Sequence, residues 1–262
     1  MQTNVNKVNR MHKYQIYGIM SMTNKTIRTT LVAMLAVTLA VSAVAATMPY
    51  ADAKNSNPNV APLNTKKYEE NHEKWWELMV TLPTDENPFT DKTGENCLNG
   101  LSESGKIIYL AGASPETVRE CTIASDTKIF FPIINIAGTG VTEEDAEFFA
   151  GLTEIIMDED NVFDLSVTVD GVELENLESY RIQSNELFDI EPVEGNPFAV
   201  PEEIFAKSDG YWILLNPLSS SDKNGDEPGD HTIEFSGSTE ADLGEFGVFS
   251  FETAVTYHIT VE

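Results

Sequence analysis

Residues 128–137 (KIFFPIINIA) and 211–215 (YWILL) are apolar at odd and even positions alike, so a strand made from either has two greasy faces. Such strands must lie centrally, with cover on both sides. Other stretches have one wet face. Phe163, Leu165, Val167 and Val169 alternate with Asp164, Ser166, Thr168 and Asp170, and Asp170-Gly171 then reads as a hairpin turn toward Val172 and Leu174. Val255, Tyr257, Ile259 and Val261 alternate with Thr256, His258, Thr260 and Glu262 in the same way. Further strands are expected at 106–110, 180–183, 231–235 and 246–251. Pro132 cannot donate to a ladder, so a bulge or an edge position is expected there. Eight or so short strands predict a mostly-β fold, a β-sandwich or jelly-roll-like body with one or two peripheral helices.

The helices announce themselves separately. Tyr68, His72, Trp75, Trp76 and Met79 recur at spacings of three and four, which predicts a helix over 68–79 that ends before Pro83 and Pro88. Thr142-Glu143-Glu144-Asp145 is a capping-box pattern ahead of Ala146, Phe149, Ala150, Leu152, Ile155 and Ile156. Short helical turns are expected after Ser114-Pro115 and after Pro201-Glu202-Glu203.

The chain also carries an address. An apolar run of Ala, Leu and Val over residues 31–48 follows Lys25 and Arg28 and leads into Ala51-Asp52-Ala53, the pattern of an export signal with small residues at its cleavage point. A retained membrane anchor is the alternative, because the run is near the lower length limit for spanning. Residues 1–21 read as an over-extended, disordered start ahead of Met22, residues 22–53 as the signal peptide, residues 54–66 as a flexible lead-in, and residues 67–262 as a single domain. The expected location is secreted or cell-surface.

The first 53 residues hold five of the 16 basic residues and one of the 43 acidic ones, so the exported body keeps 11 basic residues against 42 acidic. Nucleic acid and peripheral binding to anionic membranes are therefore not expected, since both partners are polyanions. Only two cysteines occur, Cys97 and Cys121. In an oxidising exterior a disulfide between them is the expectation, and a two-cysteine metal site lacks a second Cys or a His at ligand spacing.

A string of short motifs runs through the body: Trp75-Trp76, Asn87-Pro88, Thr93-Gly94 with Cys97, Leu110-Ala111-Gly112, Cys121, residues 130–135 (FFPIIN), Val169-Asp170-Gly171, Tyr180-Arg181, residues 209–212 (DGYW), Asn216-Pro217-Leu218, His231-Thr232-Ile233 and residues 257–261 (YHITV). Over about residues 72–261 this resembles a family of uncharacterised secreted proteins of archaea and bacteria. The resemblance implies one continuous domain and a Cys97–Cys121 pair. It transfers no activity and no catalytic residue. Residues 219–228 form a longer polar insertion where the family has a short Pro-Gly turn.

That insertion holds the strongest candidate site. Asp222, Asn224 and Asp226 alternate around Gly225, with Asp230 in reach, as the oxygen ligands of a calcium loop do. Glu227 and Ile233 stand where an EF-hand-like loop wants Gly and an acidic residue. The run Asp158-Glu159-Asp160-Asn161 is a second cation candidate, because acidic groups at a helix C-terminus oppose the dipole. His231 and His258, beside Asp230, would suit zinc or copper if they met across a ladder.

Enzyme motifs fail one by one. His72-Glu73 has Trp76 where a zinc-protease helix needs its second ligand, and residues 100–104 (GLSES) lack the final Gly of a nucleophile elbow. Carboxylate pairs for glycoside hydrolysis are too numerous for one to be singled out. Trp75, Trp76, Tyr211, Trp212 and Tyr257 would make a sugar-stacking platform if exposed, but their patterned positions favour core packing. Arg181, one of two arginines in the exported body with Arg119, is expected to pair with a buried carboxylate. The sequence thus reads as an acidic extracellular module that binds a glycan or a surface protein without catalysis, with calcium as the candidate ion. A secreted hydrolase acting on glycans or peptides is the alternative. The sequence leaves oligomeric state open.

Overall fold

The computed structural model describes residues 59–113, 116–198, 204–221 and 229–262, together with the backbone of Ile19–Met20. The expected signal peptide at 22–53 lies outside the described residues. In chain order the strands are β1 (Ile19–Met20), β2 (Ile107–Tyr109), β3 (Thr117–Ile123), β4 (Lys128–Gly140), β5 (Val162–Val169), β6 (Val172–Glu173), β7 (Arg181–Gln183), β8 (Phe188–Ile190), β9 (Ile204–Leu215), β10 (Gly229–Asp242) and β11 (Val248–Val261). Among the described residues two α-helices accompany them, α1 (Thr65–Thr81) and α2 (Glu143–Ile156). The fold is mostly β.

The two-sided apolar strands β4 and β9 pair antiparallel at the centre of the first sheet, from Ile129↔Leu215 to Gly140↔Phe205. β1 and β2 lie parallel along β4, and β7 and β8 lie antiparallel along β9. The register jumps between Pro132 and Ile134, which leaves Ile133 as the bulge that the missing proline N–H demands. On one face Phe130 and Trp212 stack at 5.3 Å beneath α1, whose Trp75 meets Trp212 edge-on at 5.6 Å. On the other face Phe131 stacks at 4.5 Å on Phe235 of the second sheet.

That second sheet has the order β3-β11-β10-β5-β6. β10 and β11 pair along their full length, Gly229↔Val261 to Asp242↔Val248, with nearly all inner positions buried and the outer ones exposed or half-buried. Asp170 and Gly171, at φ of 53° and 76°, make the tight turn from β5 to β6 that needs left-handed residues. The β3 edge is not left open. Glu120 N–H donates to Thr93 O at 2.8 Å, and Cys121 is joined to Cys97 with the Cα atoms 5.8 Å apart.

Both helices start on the caps their sequences offer. Asn64 Oδ1 accepts Lys67 N–H at 3.0 Å, and Thr142 Oγ1 accepts Asp145 N–H at 3.2 Å. α2 lies close on β4 because Gly138 and Gly140 face it. A Cβ at 138 would overlap the backbone of Phe149 and Ala150. No described helix is long and apolar enough to cross a membrane.

Several expectations change. Strand β3 begins at Thr117 and β9 at Ile204, where short helical turns were expected. In β3 the inward positions hold Arg119 and Cys121, so no greasy alternation marks it. The separate candidates 246–251 and 255–261 are one strand, and Ser-Gly-Ser at 236–238 hides how far β10 extends. Order begins ahead of Lys67: Val60 and Ala61 are buried, and Ala61 N–H donates to Leu214 O at 2.8 Å.

Replacing Cys97 and Cys121 together by Ala should lower unfolding free energy by about 3 kcal/mol, the chain-entropy value for a loop of this size. Urea denaturation of the oxidised parent and the double variant measures it.

Candidate functional site

The calcium-candidate residues Asp222, Asn224 and Asp226 lie outside the described residues. Asp230 lies inside them, on the outer face of β10, where its Oδ1 accepts the Thr260 hydroxyl at 3.1 Å. The base of the 219–229 segment meets the opposite face of the same strand, because His231 Nε2 lies 2.8 Å from Ser219 O. Strand alternation therefore points Asp230 away from Ser219.

The same alternation separates the two histidines. His231 is turned inward and buried, whereas His258 stands exposed on the outer face with Nδ1 at 3.4 Å from Thr232 Oγ1. They form no joint zinc or copper site. Among the described residues no group of three His, Cys, Asp or Glu side chains is placed to hold a metal ion.

What the outer face offers is a shallow groove of about 270 Å³ lined by Asp230, Thr232, His258 and Thr260, with the backbone edges of His231 and Ile259. The register makes Thr232↔His258 and Asp230↔Thr260 direct cross-strand pairs, and Glu120 and Thr122 of β3 extend the two rows. Hydroxyls, a carboxylate and an imidazole thus lie side by side on a sheet face that no described element covers. β3, β5, β6, β10 and β11 contain one Lys or Arg, Arg119, and it is buried on the inner face.

Elsewhere, titratable groups converge only to be used up internally. Asp209, 2% exposed at its side chain, is held by Arg181 through Nε to Oδ1 at 3.1 Å and Nη2 to Oδ2 at 2.7 Å, with Gln183 Nε2 at 2.7 Å. Burial still outweighs these donors and raises the Asp209 pKa above its ordinary value. This is the buried pair expected of Arg181. The same guanidinium reaches Glu154 O at 3.0 Å, placing a cation on the C-terminal carbonyls of α2. Neighbours complete the cap: Asn161 Nδ2 binds Ile155 O at 2.7 Å, Thr239 Oγ1 binds Ile156 O at 2.6 Å, and Tyr211 OH binds Met157 O at 3.3 Å. The dipole that suggested a cation at 158–161 is answered by Arg181, and Asn161 serves as a cap.

His72 is fully buried, with Nε2 at 2.9 Å from Ser184 Oγ and Nδ1 at 3.3 Å from Tyr68 O. Tyr68 O can only accept, so a neutral His72 donates from Nδ1 and takes the Ser184 hydroxyl proton at Nε2, while Ser184 Oγ accepts Ser208 N–H at 2.9 Å. Burial, ahead of the backbone contacts, takes its pKa down to about 4. It is a packed residue, as its place on the helix face implied. Trp75, Trp76, Tyr211, Trp212 and Tyr257 are all buried and present no stacking platform.

Sequence reasoning missed Arg119 as an organiser. It is 2% exposed, and its guanidinium donates to the carbonyls of Asp91, Ala111 and Phe89 and to Tyr257 OH, at 2.8, 2.7, 3.1 and 2.7 Å. It fixes the crossing from β2 to β3. The Asp91 carboxylate is turned to the N–H groups of Thr93, Gly94 and Asn96; burial opposes its ionised form, but those donors outweigh burial and lower its pKa. Its rarity, as one of two arginines in residues 54–262, was the available signal.

Comparison with protein-family models, with curated proteins and with solved structures finds no match to this chain.

Arg181→Ala leaves Asp209 buried and unpaired and should cost about 3–5 kcal/mol at pH 7. Because the folded carboxyl keeps its proton to higher pH than the unfolded one, its contribution is complete below 3.8 and lost as pH rises through the folded value. Removing the guanidinium widens that gap, so the deficit of the variant should shrink toward pH 4. Paired urea titrations at the two pH values measure it.

Proposed function

We propose that this chain is an acidic, non-catalytic binding module that works outside the cell and takes its partner on the outer face of the β3-β11-β10-β5-β6 sheet. The observation that carries this reading is the groove at Asp230, Thr232, His258 and Thr260, where hydrogen-bonding side chains stand in register on a face with no covering element among the described residues. A flat array of hydroxyls and carboxylates with no cation suits a neutral, hydroxyl-rich glycan or a basic segment of a surface protein, and repels polyanions. Export of the body is inferred from the 22–53 pattern and is supported by the Cys97–Cys121 disulfide.

A hydrolase needs convergent titratable groups facing an enclosed substrate site. The Arg181–Asp209, His72–Ser184 and His231–Asp170 pairs are buried or saturated by internal bonds, which favours binding over catalysis. Calcium on Asp222, Asn224 and Asp226 is the candidate ion, with Asp230 assigned to the groove instead.

Screening the purified body against neutral glycans and basic peptides should yield ligands whose affinity drops at least tenfold in an Asp230→Ala, His258→Ala double variant, about 1.4 kcal/mol. Ligands bound equally well by parent and variant would place the site elsewhere. Calorimetry with calcium on an Asp222→Ala, Asp226→Ala variant tests the ion separately, and heat unchanged from the parent would remove it.

A further inference from the structure

We propose that His231 is a proton-operated latch, which as an imidazolium ties Ser219, on the segment leaving β9, to the start of β10 and the β5–β6 turn and releases it on deprotonation. The inference begins with donor count. His231 Nδ1 lies 2.8 Å from Asp170 Oδ2, and Nε2 lies 2.8 Å from Ser219 O. A carboxylate and a peptide carbonyl are both acceptors, and a neutral imidazole has a single N–H. Only the doubly protonated ring can donate to both.

Loss of the proton therefore sets a ring lone pair against one of the two oxygens. The Asp170 end is the better held. Its Oδ1 accepts Thr232 N–H at 2.9 Å, and Asp170 N–H donates to Thr232 O at 2.8 Å. A charge-assisted bond to a carboxylate is also stronger than one to a carbonyl. The neutral ring thus keeps Nδ1–H on Asp170, and Ser219 O loses its donor. Packing at that point is tight, because Gly229 lies so close beneath Ser219 that a Cβ there would overlap the Ser219 carbonyl. A small change at Ser219 is transmitted directly to the start of β10.

The surroundings favour the charged ring. On the β5–β6 turn it faces Asp170, and on its own strand Asp230 adds a second negative charge; the segment entering from β9 presents only Ser219, and on β11 its partner is Ile259. Burial pulls the His231 pKa down, but the Asp170 and Ser219 bonds and the two carboxylates outweigh it, and the value is raised above 6.5. A raised histidine contributes fully below 6.5, and that contribution is lost as pH rises through the folded value.

Ring-nitrogen NMR of the whole exported body tests this without relying on global stability. At about pH 5 both His231 nitrogens should carry protons, the midpoint should lie above 6.5, and the Ser220 amide shift should follow the same curve. Asp170→Asn should lower that midpoint, and His231→Gln should abolish the pH response at Ser220. A single-N–H ring at pH 5, a midpoint at or below 6.5, or a Ser220 amide indifferent to the titration would each overturn the latch. The parent titration decides the matter even where a variant does not fold.

Discussion

The β4–β9 ladder cannot be left with either face in water, and that demand shapes the rest of the molecule. Phe130, Trp212 and Leu214 need a cover on one side, while Phe131, Ile134 and Ile213 need one on the other. Burying a large side chain of this kind is worth about 1.5–3 kcal/mol, so no arrangement that exposes a face competes. Helix α1 supplies the first cover with Tyr68, Trp75 and Trp76. The second sheet supplies the other as far as its strands reach, and α2 continues that cover along β4 past Gly138.

Such layering forces polar groups inside, and each must be answered there. The C-terminus of α2 ends among strands rather than in solvent, so its last carbonyls take Arg181, Asn161, Thr239 and Tyr211 as donors. Arg181 then needs an anion, and Asp209 provides it from the neighbouring strand. Arg119 solves a different problem with three carbonyls and a phenol, holding the crossover between sheets. Both arginines of the described body are consumed by architecture. The outer face of the second sheet is left with carboxylates, hydroxyls, His258 and the exposed Val118 and Val248, and with no Lys or Arg.

What could be read from the residues follows this division. The two-sided run at 128–137, the alternations at 163–169 and 255–261, the capping pattern at Thr142 and the bulge at Pro132 were legible because burial writes a period into sequence. β3 was not, since its inward positions carry Arg119 and Cys121, and β8 is only three residues long. The buried partner of Arg181 was legible as a type, but Asp209 could not be chosen from among so many carboxylates. The proposed pairing of His231 with His258 failed for a simple reason: neighbouring strands and the polar face of His258 were inferred, but the face of His231 was not. Register 231↔259 puts the two rings on opposite sides.

The two buried histidines pull the fold in opposite directions along the pH axis. His72, with its value lowered to about 4, is content as a neutral ring, so its contribution is full above 6.5 and is lost on acidification toward 4. His231 is content as a cation, so its contribution is full below 6.5 and is lost as pH rises beyond it. Their sum is greatest where the two slopes meet, close to 6.5. His72 is the more deeply buried ring and has one carbonyl and a hydroxyl that can turn its proton inward, whereas His231 faces two oxygens with no proton to give, one of them on the Asp170 carboxylate. Burial lowers both values; in His72 it outweighs the backbone contacts, and in His231 the Asp170 and Ser219 bonds with the Asp170 and Asp230 charges outweigh it.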